Sequence, residues 1–288
     1  MTHQVTPLIT IIIAVFNGTK TLQQCIDSVA NQTYSNTELI IIDGGSKDGS
    51  VDLLKVNQNK IHYWVSEPDN GIYNAWNKGL IHATGDWICF LGADDYFWDD
   101  YVLEGMVGTL CRLSDDVNVA YGEVMLLTED DQTLYKIGKP WHYVKHLFPK
   151  SMSIPHPGLM QRNSLFKKHG HFDESYRIVG DYEFLLRELK VGDAAFIPLV
   201  IAGVRQGGVS CNSGNSLTLL KEVRRAQIKH GFYIPSFLWL LAVLRLLIRK
   251  SLWFMLGEIR ARKLLDLGRR IYGLPAYWTK TEGVNNFV

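Results

Sequence analysis

Residues 8–16, Leu-Ile-Thr-Ile-Ile-Ile-Ala-Val-Phe, form an apolar run rich in Ile and Val, preceded by Pro7 and followed by Asn17-Gly18. A run this short, apolar at nearly every position and not at alternate ones, predicts a strand buried on both faces, as in parallel sheets. Working outward, Leu22, Cys25, Ile26 and Val29 recur at helical spacing, and residues 38–43 form a second buried run closed by Gly44-Gly45-Ser46. Ser46 or Asp48 is placed to cap a helix carrying Val51, Leu53 and Leu54. Residues 61–65 predict a third strand. Residues 71–83 predict a helix with Ile72, Ala75, Trp76 and Leu80 on one face, and residues 86–92 a fourth strand running into Ala93-Asp94-Asp95. The order β-α-β-α-β-α-β is that of a doubly wound α/β fold with a mostly parallel, Rossmann-like sheet.

Regularity then falls away. A helix is expected over residues 99–112, short strands over 117–127 and 134–137, and a loop through Pro155-His156-Pro157-Gly158. Helical spacing returns over 181–191, through Leu185, Leu186 and Leu189, before a strand-like run at 194–204.

The net charge of +1 conceals an asymmetry in the 288 residues: before Lys221 there are seventeen Lys/Arg against twenty-five Asp/Glu, and from Lys221 onward thirteen against four. Between residues 235 and 256 the composition turns to Phe, Leu, Trp, Ile and Met, broken by Arg245, Arg249 and Lys250. The uninterrupted apolar part, residues 237–244, falls far short of the ~20 residues that a spanning helix needs. An in-plane amphipathic helix at a membrane surface, through residues 235–263, fits this composition. Packing of a helical hairpin on the preceding domain, or a dimer contact, is the alternative. Nucleic-acid binding ranks last, because the aromatics sit inside an aliphatic run and not among the basic residues. The expected organisation is a domain over 1–215, in two halves (1–98 and 99–215), followed by a basic, apolar helical tail over 216–288.

Cys25, Cys89, Cys111 and Cys211 are widely spaced with no Cys-x-x-Cys pair, which fits a reducing compartment and no structural zinc site. Residues 1–7 are polar and show no secretory signal. Together with the tail, this predicts a cytoplasmic protein, peripheral on the inner face of the membrane.

In an open parallel sheet, ligands sit beyond the carboxyl ends of the strands. Those ends are polar here: Asn17-Gly18, Asp43-Gly44-Gly45-Ser46, Glu67-Pro68-Asp69-Asn70-Gly71 and Asp94-Asp95. Adjacent carboxylates after a buried strand suit a hard cation, Mg²⁺ or Mn²⁺, although the same pair can simply open a turn before a helix. The first turn, Asn17-Gly18-Thr19-Lys20, is not Gly-x-Gly-x-x-Gly, and no Walker-type loop is present. Asp181, after Gly180, has the position of a helix N-cap. His156 lies in a stiff Pro-His-Pro-Gly loop, where an ordinary satisfied side chain is the plain reading. His142 and His146 lack a third metal ligand nearby.

Over about residues 8–210 the chain resembles the GT-A-fold glycosyltransferases of family 2. The resemblance rests on Ile-Ile-Ile-Ala-Val-Phe-Asn at 11–17, Ile-Ile-Asp-Gly-Gly-Ser-Lys-Asp-Gly-Ser at 41–50 and Glu-Pro-Asp-Asn-Gly-Ile-Tyr-Asn-Ala-Trp-Asn-Lys-Gly at 67–79. Gly-Asp-Trp-Ile-Cys-Phe-Leu-Gly-Ala-Asp-Asp at 85–95 and Gly-Asp-Tyr-Glu-Phe-Leu-Leu-Arg at 180–187 complete it. Within the family the chain looks most like bacterial surface-polysaccharide transferases.

The resemblance implies inverting transfer of a sugar from a nucleotide donor, a UDP-sugar, to a hydroxyl of a saccharide acceptor, one that can be carried on a polyprenyl diphosphate. By position it implies Asp181 as catalytic base and Asp43 as the base-recognising aspartate, with 1–98 the nucleotide-binding and 99–215 the acceptor-binding half of a catalytic domain; Glu183 either binds the acceptor or pairs with a cation, and His156 can face the diphosphate, the metal or the acceptor. The backbone of Ala14 to Phe16 would line the base and ribose, and Asp69 and Lys78 would pack beside the nucleotide. Asp94-Asp95 matches the Asp-x-Asp-type element, with Asp95 as ligand to Mn²⁺ or Mg²⁺. Arg205, with Gln206-Gly207-Gly208-Val209-Ser210, resembles a mobile loop that closes over the donor phosphates. Ala14 and Ala93 depart from the family pattern, where proline and a polar residue are common. The alternative to catalysis is a nucleotide-sugar-binding scaffold or regulatory protein.

Overall fold

The computed structural model of the chain describes residues 6–128, 130–206, 213–273, 276, 278 and 279. Its first half alternates strand and helix: β1 (Ile9–Val15), α1 (Leu22–Ala30), β2 (Thr37–Asp43), α2 (Ser50–Val56), β3 (Tyr63–Ser66), α3 (Ile72–His82) and β4 (Trp87–Gly92). β1 lies between β2 and β4, parallel to both, with Ile12 opposite Ile40 on one side and Phe90 on the other. Because side chains alternate along a strand, the sheet buries two faces. Ile12, Ile40, Ile42, Ile88 and Phe90 meet Tyr73, Trp76 and Leu80 of α3. Ile11, Ile13, Ile41, Cys89 and Leu91 meet Leu22, Cys25, Ile26 and Val29 of α1. This double burial is why the strands read as unbroken apolar runs.

The second half contains β5 (Tyr96–Phe97), α4 (Val102–Leu110), β6 (Val119–Leu127), β7 (Thr133–Ile137), α5 (Trp141–Val144), β8 (Met160–Arg162), α6 (Asn163–His169), α7 (Gly180–Leu189) and β9 (Ala194–Arg205). Among the described residues the sheet runs β3-β2-β1-β4-β8-β6-β9-β5, with β7 on the outside of β6. β8 is antiparallel to both β4 and β6 and so turns a parallel sheet into a mixed one. α7 joins the core on the α3 side through Phe184, Leu185, Leu186 and Leu189, and α4 joins the opposite one through Leu103, Met106 and Leu110.

Two local expectations change. α2 is preceded by Gly49 at φ 101°, and Asp48 accepts the Ser50 N–H (3.0 Å) and the Thr19 N–H (2.9 Å), which ties the α2 start to the β1 loop. α7 begins at Gly180 with Val179 at its cap position and no side-chain cap, so Asp181 lies inside the first turn and is not the N-cap.

After residue 212 come α8 (Ser216–Lys229) and α9 (Phe237–Ile271), the latter bent at Gly257 (φ 71°). Among the described residues no helix is long and apolar enough to cross a membrane. α8 packs on α7 and contributes Ala226 to the core on that side. α9 in turn rests on α8: Trp239 Nε1 donates to Leu220 O (3.0 Å) and Arg249 to Ser216 Oγ (2.6 Å). The hairpin packing weighed as an alternative therefore describes the inner side of the tail. Its outer side keeps Phe237, Leu244, Leu247, Phe254 and Ile259 exposed, Phe254 to 92%.

Candidate active site

The carboxyl ends of β1, β2 and β4 lie side by side. Asp43, the last residue of β2, is fully buried. Its Oδ2 accepts Gly45 N–H (3.0 Å), Ser46 N–H (2.9 Å) and Ser66 Oγ–H (2.6 Å), whereas its Oδ1 is buried without a partner. The backbone can fold round the carboxylate because Gly45 adopts φ 84°, a left-handed conformation suited to glycine. One oxygen is thus pinned and the other left unpaired, a costly state that a donor on a ligand would relieve. A side chain at Gly44 would meet Asp69 at 2.6 Å, so glycine is needed where the β2 and β3 ends approach. Asp69 itself accepts the Gly71 N–H (2.9 Å). Lys78 is held by Glu67 (2.7 Å) and Pro68 O (3.1 Å) at the same rim. Ala14 is half-buried near the end of β1, and Phe16 just beyond it is 66% exposed.

Asp95 follows β4, buried, and its Oδ2 accepts the Gly92 N–H (3.2 Å). Burial, and then the charge of Asp94, push its carboxyl well above the usual range. Among the described residues no three His, Cys, Asp or Glu side chains gather into a closed metal cage. Mg²⁺ and Mn²⁺ do not need one, because one or two carboxylates complete their shell with water and substrate phosphates. A buried carboxylate with a second beside it fits that requirement. His156, the other residue offered as a ligand, packs on Trp76 and Phe90.

Arg205 is buried and fully engaged. It pairs with Asp131 (2.7 and 3.0 Å), donates to the Asp94 carbonyl (2.7 Å) and to Gln24 Oε1 (2.5 Å), and stands over the Tyr96 ring. It therefore braces the Asp94 backbone instead of projecting freely toward a phosphate. Of the loop expected to close over the donor, Gln206 is buried, with its N–H on Leu127 O (3.0 Å), and residues 207–210 lie outside the described residues.

Asp181 sits half-exposed in the first turn of α7, where Oδ1 accepts the Tyr182 N–H (2.8 Å) and the Tyr73 hydroxyl (3.2 Å). The Tyr73 ring is pressed against Gly180, so that a Cβ there would lie 2.8 Å from a ring carbon. His156 is buried against Trp76, stacked at 5.2 Å, with Phe90 of β4 at 6.0 Å. Burial lowers its pKa against the opposing pull of the nearby Asp181, so the imidazole is neutral at pH 7. His156 Nε2 and Trp76 Nε1 are both buried without a partner. Phe90, packed on this imidazole, lies in β4 five residues before Asp95 on the chain.

Tyr73 and Trp76 are the functional candidates that sequence reasoning missed. Both lie in the quoted 67–79 motif, but an aromatic at helical spacing reads first as core. Glu183 resolves toward the cation pairing and not the acceptor contact. It is fully buried and bonded to Arg187 (2.5 Å), His230 (2.9 Å) and Lys229 (3.1 Å). Burial alone would raise its pKa, but the hydrogen bonds from His230 and Arg187 overcome this and hold it at about 2.

The model of the family described as Glycosyl transferase family 2 matches residues 10–169, more than half the chain. The chain belongs to glycosyl transferase family 2. Among its relatives, the PGL/p-HBAD biosynthesis glycosyltransferase of Mycobacterium tuberculosis (strain ATCC 25177 / H37Ra) is 31% identical over 184 residues, 63% of this chain and 69% of that one. An uncharacterized glycosyltransferase of Mycobacterium tuberculosis (strain CDC 1551 / Oshkosh) is 33% identical over 229 residues, 79% and 86% of the two chains. The structure is similar to S. aureus TarS in complex with UDP-GlcNAc (TM-score 0.59, 13% identity, covering 91% and 77% of the chains). It is also similar to the mannosyltransferase PcManGT from Pyrobaculum calidifontis in complex with GDP-Man and Mn²⁺ (TM-score 0.61, 14% identity, 96% and 83%). This family 2 glycosyltransferase therefore has the GT-A fold, with helices α8 and α9 following it.

Proposed function

We propose that the protein is an inverting, metal-dependent transferase that moves one sugar from a UDP-sugar to a hydroxyl of a saccharide, carried on a membrane lipid, in cell-surface polysaccharide synthesis. The observation that carries this reading is the state of Asp181: Oδ1 is occupied by Tyr73 and the Tyr182 N–H, and Oδ2 has no partner among the described residues. Oδ2 can therefore take a proton. As the acceptor oxygen attacks the anomeric carbon, the bond to the departing diphosphate breaks on the opposite side, and the acceptor proton passes to Asp181 Oδ2. Half-exposure then lets the carboxyl return that proton to water.

Asp43 supports a base with an N–H facing its unpaired Oδ1, and a uracil imide supplies one. Asp95, with Asp94 beside it, would hold Mn²⁺ or Mg²⁺, which when bound neutralises charge on the diphosphate as a Lewis acid. The neutral, buried His156 feels the Asp181 charge and stacks on Trp76, and the unpartnered His156 Nε2 and Trp76 Nε1 are groups that acceptor hydroxyls could satisfy.

The outer stripe of α9 supports a membrane-surface position. At about 100° per residue, Phe237, Leu240, Leu244, Leu247, Ile248 and Met255 share one side, and Arg245 and Lys250, both exposed, fall on its two borders. That order suits a helix lying in the plane of an anionic surface, with its apolar side down and cations at the headgroups.

The test is release of nucleoside diphosphate by the full chain with Mn²⁺ and, in turn, UDP-glucose, UDP-galactose, UDP-N-acetylglucosamine and GDP-mannose. A UDP-sugar should be turned over, EDTA should stop the reaction, and Asp181→Asn should lower turnover by about 10²–10⁴-fold, leaving a measurable residue, while donor binding survives. Unchanged turnover by Asp181→Asn would remove Asp181 from its role, and binding without turnover in the wild type would favour the scaffold reading.

A further inference from the structure

The segment that delivers Asp181 to the site is held from behind by a carboxylate on a different helix. Glu222 of α8 is buried. Its Oε1 accepts the Arg177 N–H (2.8 Å), and its Oε2 accepts those of Ile178 (2.9 Å) and Val179 (3.0 Å). These are the three amides immediately before Gly180, where α7 starts, and α7 has no side-chain cap of its own. Buried backbone N–H groups need acceptors and a helix start carries partial positive charge, so a carboxylate aimed at these three amides both satisfies them and is held by them.

The neighbouring contacts make this a fixed mount. On one side, Asn77 of α3 clasps Phe172 through its carbonyl (3.0 Å) and its N–H (3.0 Å). On the other, Arg225 of α8 bonds Ser175 and lies over the Tyr176 ring at 3.6 Å, and Lys229 pairs with Asp173 (2.8 Å). Residues 172–179 are thereby strapped between α3, which carries Tyr73, and α8. In the next two positions Gly180 meets the Tyr73 ring and Asp181 meets its hydroxyl.

We infer that Glu222 is a positioning residue for the transfer reaction: by clamping the backbone of residues 177–179 it sets where the Asp181 carboxylate stands relative to Tyr73. It lies outside residues 10–169 that match the family model, and in a helix that composition alone assigns to the tail. The inference rests on the reading of Asp181 as the base.

Glu222→Gln keeps the shape but loses one acceptor oxygen and turns an NH₂ toward backbone donors; Glu222→Asp keeps the charge on a shorter arm. Hydrogen exchange of the full chain is measured first and needs no substrate. In Glu222→Gln the amides of Arg177, Ile178 and Val179 should exchange at least tenfold faster, with the strands of the sheet unchanged. Turnover is then measured with whichever of the four nucleotide sugars above the wild type consumes. Glu222→Gln should lower kcat about thirtyfold with donor KM within twofold, and Glu222→Asp should recover part of the loss. The deciding measurement is the double variant: combined with Asp181→Asn, Glu222→Gln should cost nothing further, because it acts through Asp181.

An unchanged kcat in Glu222→Gln, an equal loss in the Asp181→Asn background, or unchanged exchange at residues 177–179 overturns the inference. Wild-type turnover by Asp181→Asn alone would instead overturn the base assignment, and the exchange data would still report whether Glu222 clamps the segment.

Discussion

The Tyr73 hydroxyl donates to Asp181 Oδ1 at 3.2 Å, joining α3 to α7 across 108 positions of chain. Burial first, and the Asp181 charge second, raise the Tyr73 pKa well above its ordinary value, so the phenol remains a donor through the physiological range. The contact orients one carboxylate oxygen and leaves the other free. Tyr73→Phe removes the donor and keeps the ring. A hydrogen bond to a charged group contributes about 1.5–3 kcal/mol, so kcat should fall roughly ten- to a hundredfold with donor KM little changed. Steady-state nucleotide release reads this directly, and a wild-type kcat would show that the hydroxyl does not orient Asp181.

Gly180 is required by proximity and not by its dihedral angles. A methyl group at this position would sit 2.8–2.9 Å from three carbons of the Tyr73 ring, and neither the ring nor the first turn of α7 can move away cheaply in a packed core. Gly180→Ala is expected to destabilise the fold by about 1–3 kcal/mol and to lower turnover as well, because the displaced groups include the base. Urea unfolding and turnover, measured on the same preparation, test both parts; normal values in both would mean that the helix shifts freely.

Glu183 makes stability depend on acid. Its folded pKa, about 2, lies below the ordinary 4.5, so its contribution is complete above 4.5 and is lost as pH falls toward 2. For a fully buried group this is worth on the order of 3 kcal/mol. Melting temperature should therefore drop between these two pH values in the wild type, and less steeply in Glu183→Gln. At pH 7 that variant should be less stable by about 3–5 kcal/mol, because Arg187, Lys229 and His230 lose their shared partner. Parallel acid dependence in the two proteins would contradict this account.

The exposed stripe of α9 should bind lipid. Flotation with vesicles containing anionic phosphatidylglycerol should carry the wild-type chain, more at low salt than at high salt because the border cations contribute. Leu244→Glu combined with Phe254→Glu, both at exposed positions, should sharply reduce flotation without lowering the melting temperature. Equal flotation of the two proteins would show that another surface binds the vesicles, and no flotation of the wild type would leave α9 for a protein partner.

Much of the α/β half could be read without coordinates, and the reason is local. β1, β2 and β4 are buried on both faces by helices close in sequence, so each run of Ile, Val and Phe records its own environment. Asp43, Asp95 and Asp181 stand out for a related reason: the first ends β2, the second follows β4 and the third opens α7, elements whose pattern is visible in their own residues. β5, of two residues, and β8, of three, carry no such pattern. They are strands only because β9 and β4 lie beside them.

By itself, then, the sequence determined the order of elements in the first half, the polar strand ends and the family, because these depend on spacing within a few residues. The tertiary structure alone decided which partners those residues have. It showed that Arg205 braces the Asp94 backbone, that Glu183 is sealed among Arg187, Lys229 and His230, and that Tyr73 and Glu222 hold Asp181 from two directions. Such contacts join side chains that are far apart along the chain, and hydrogen bonds and ion pairs act over a few ångströms in space, whatever the separation in sequence.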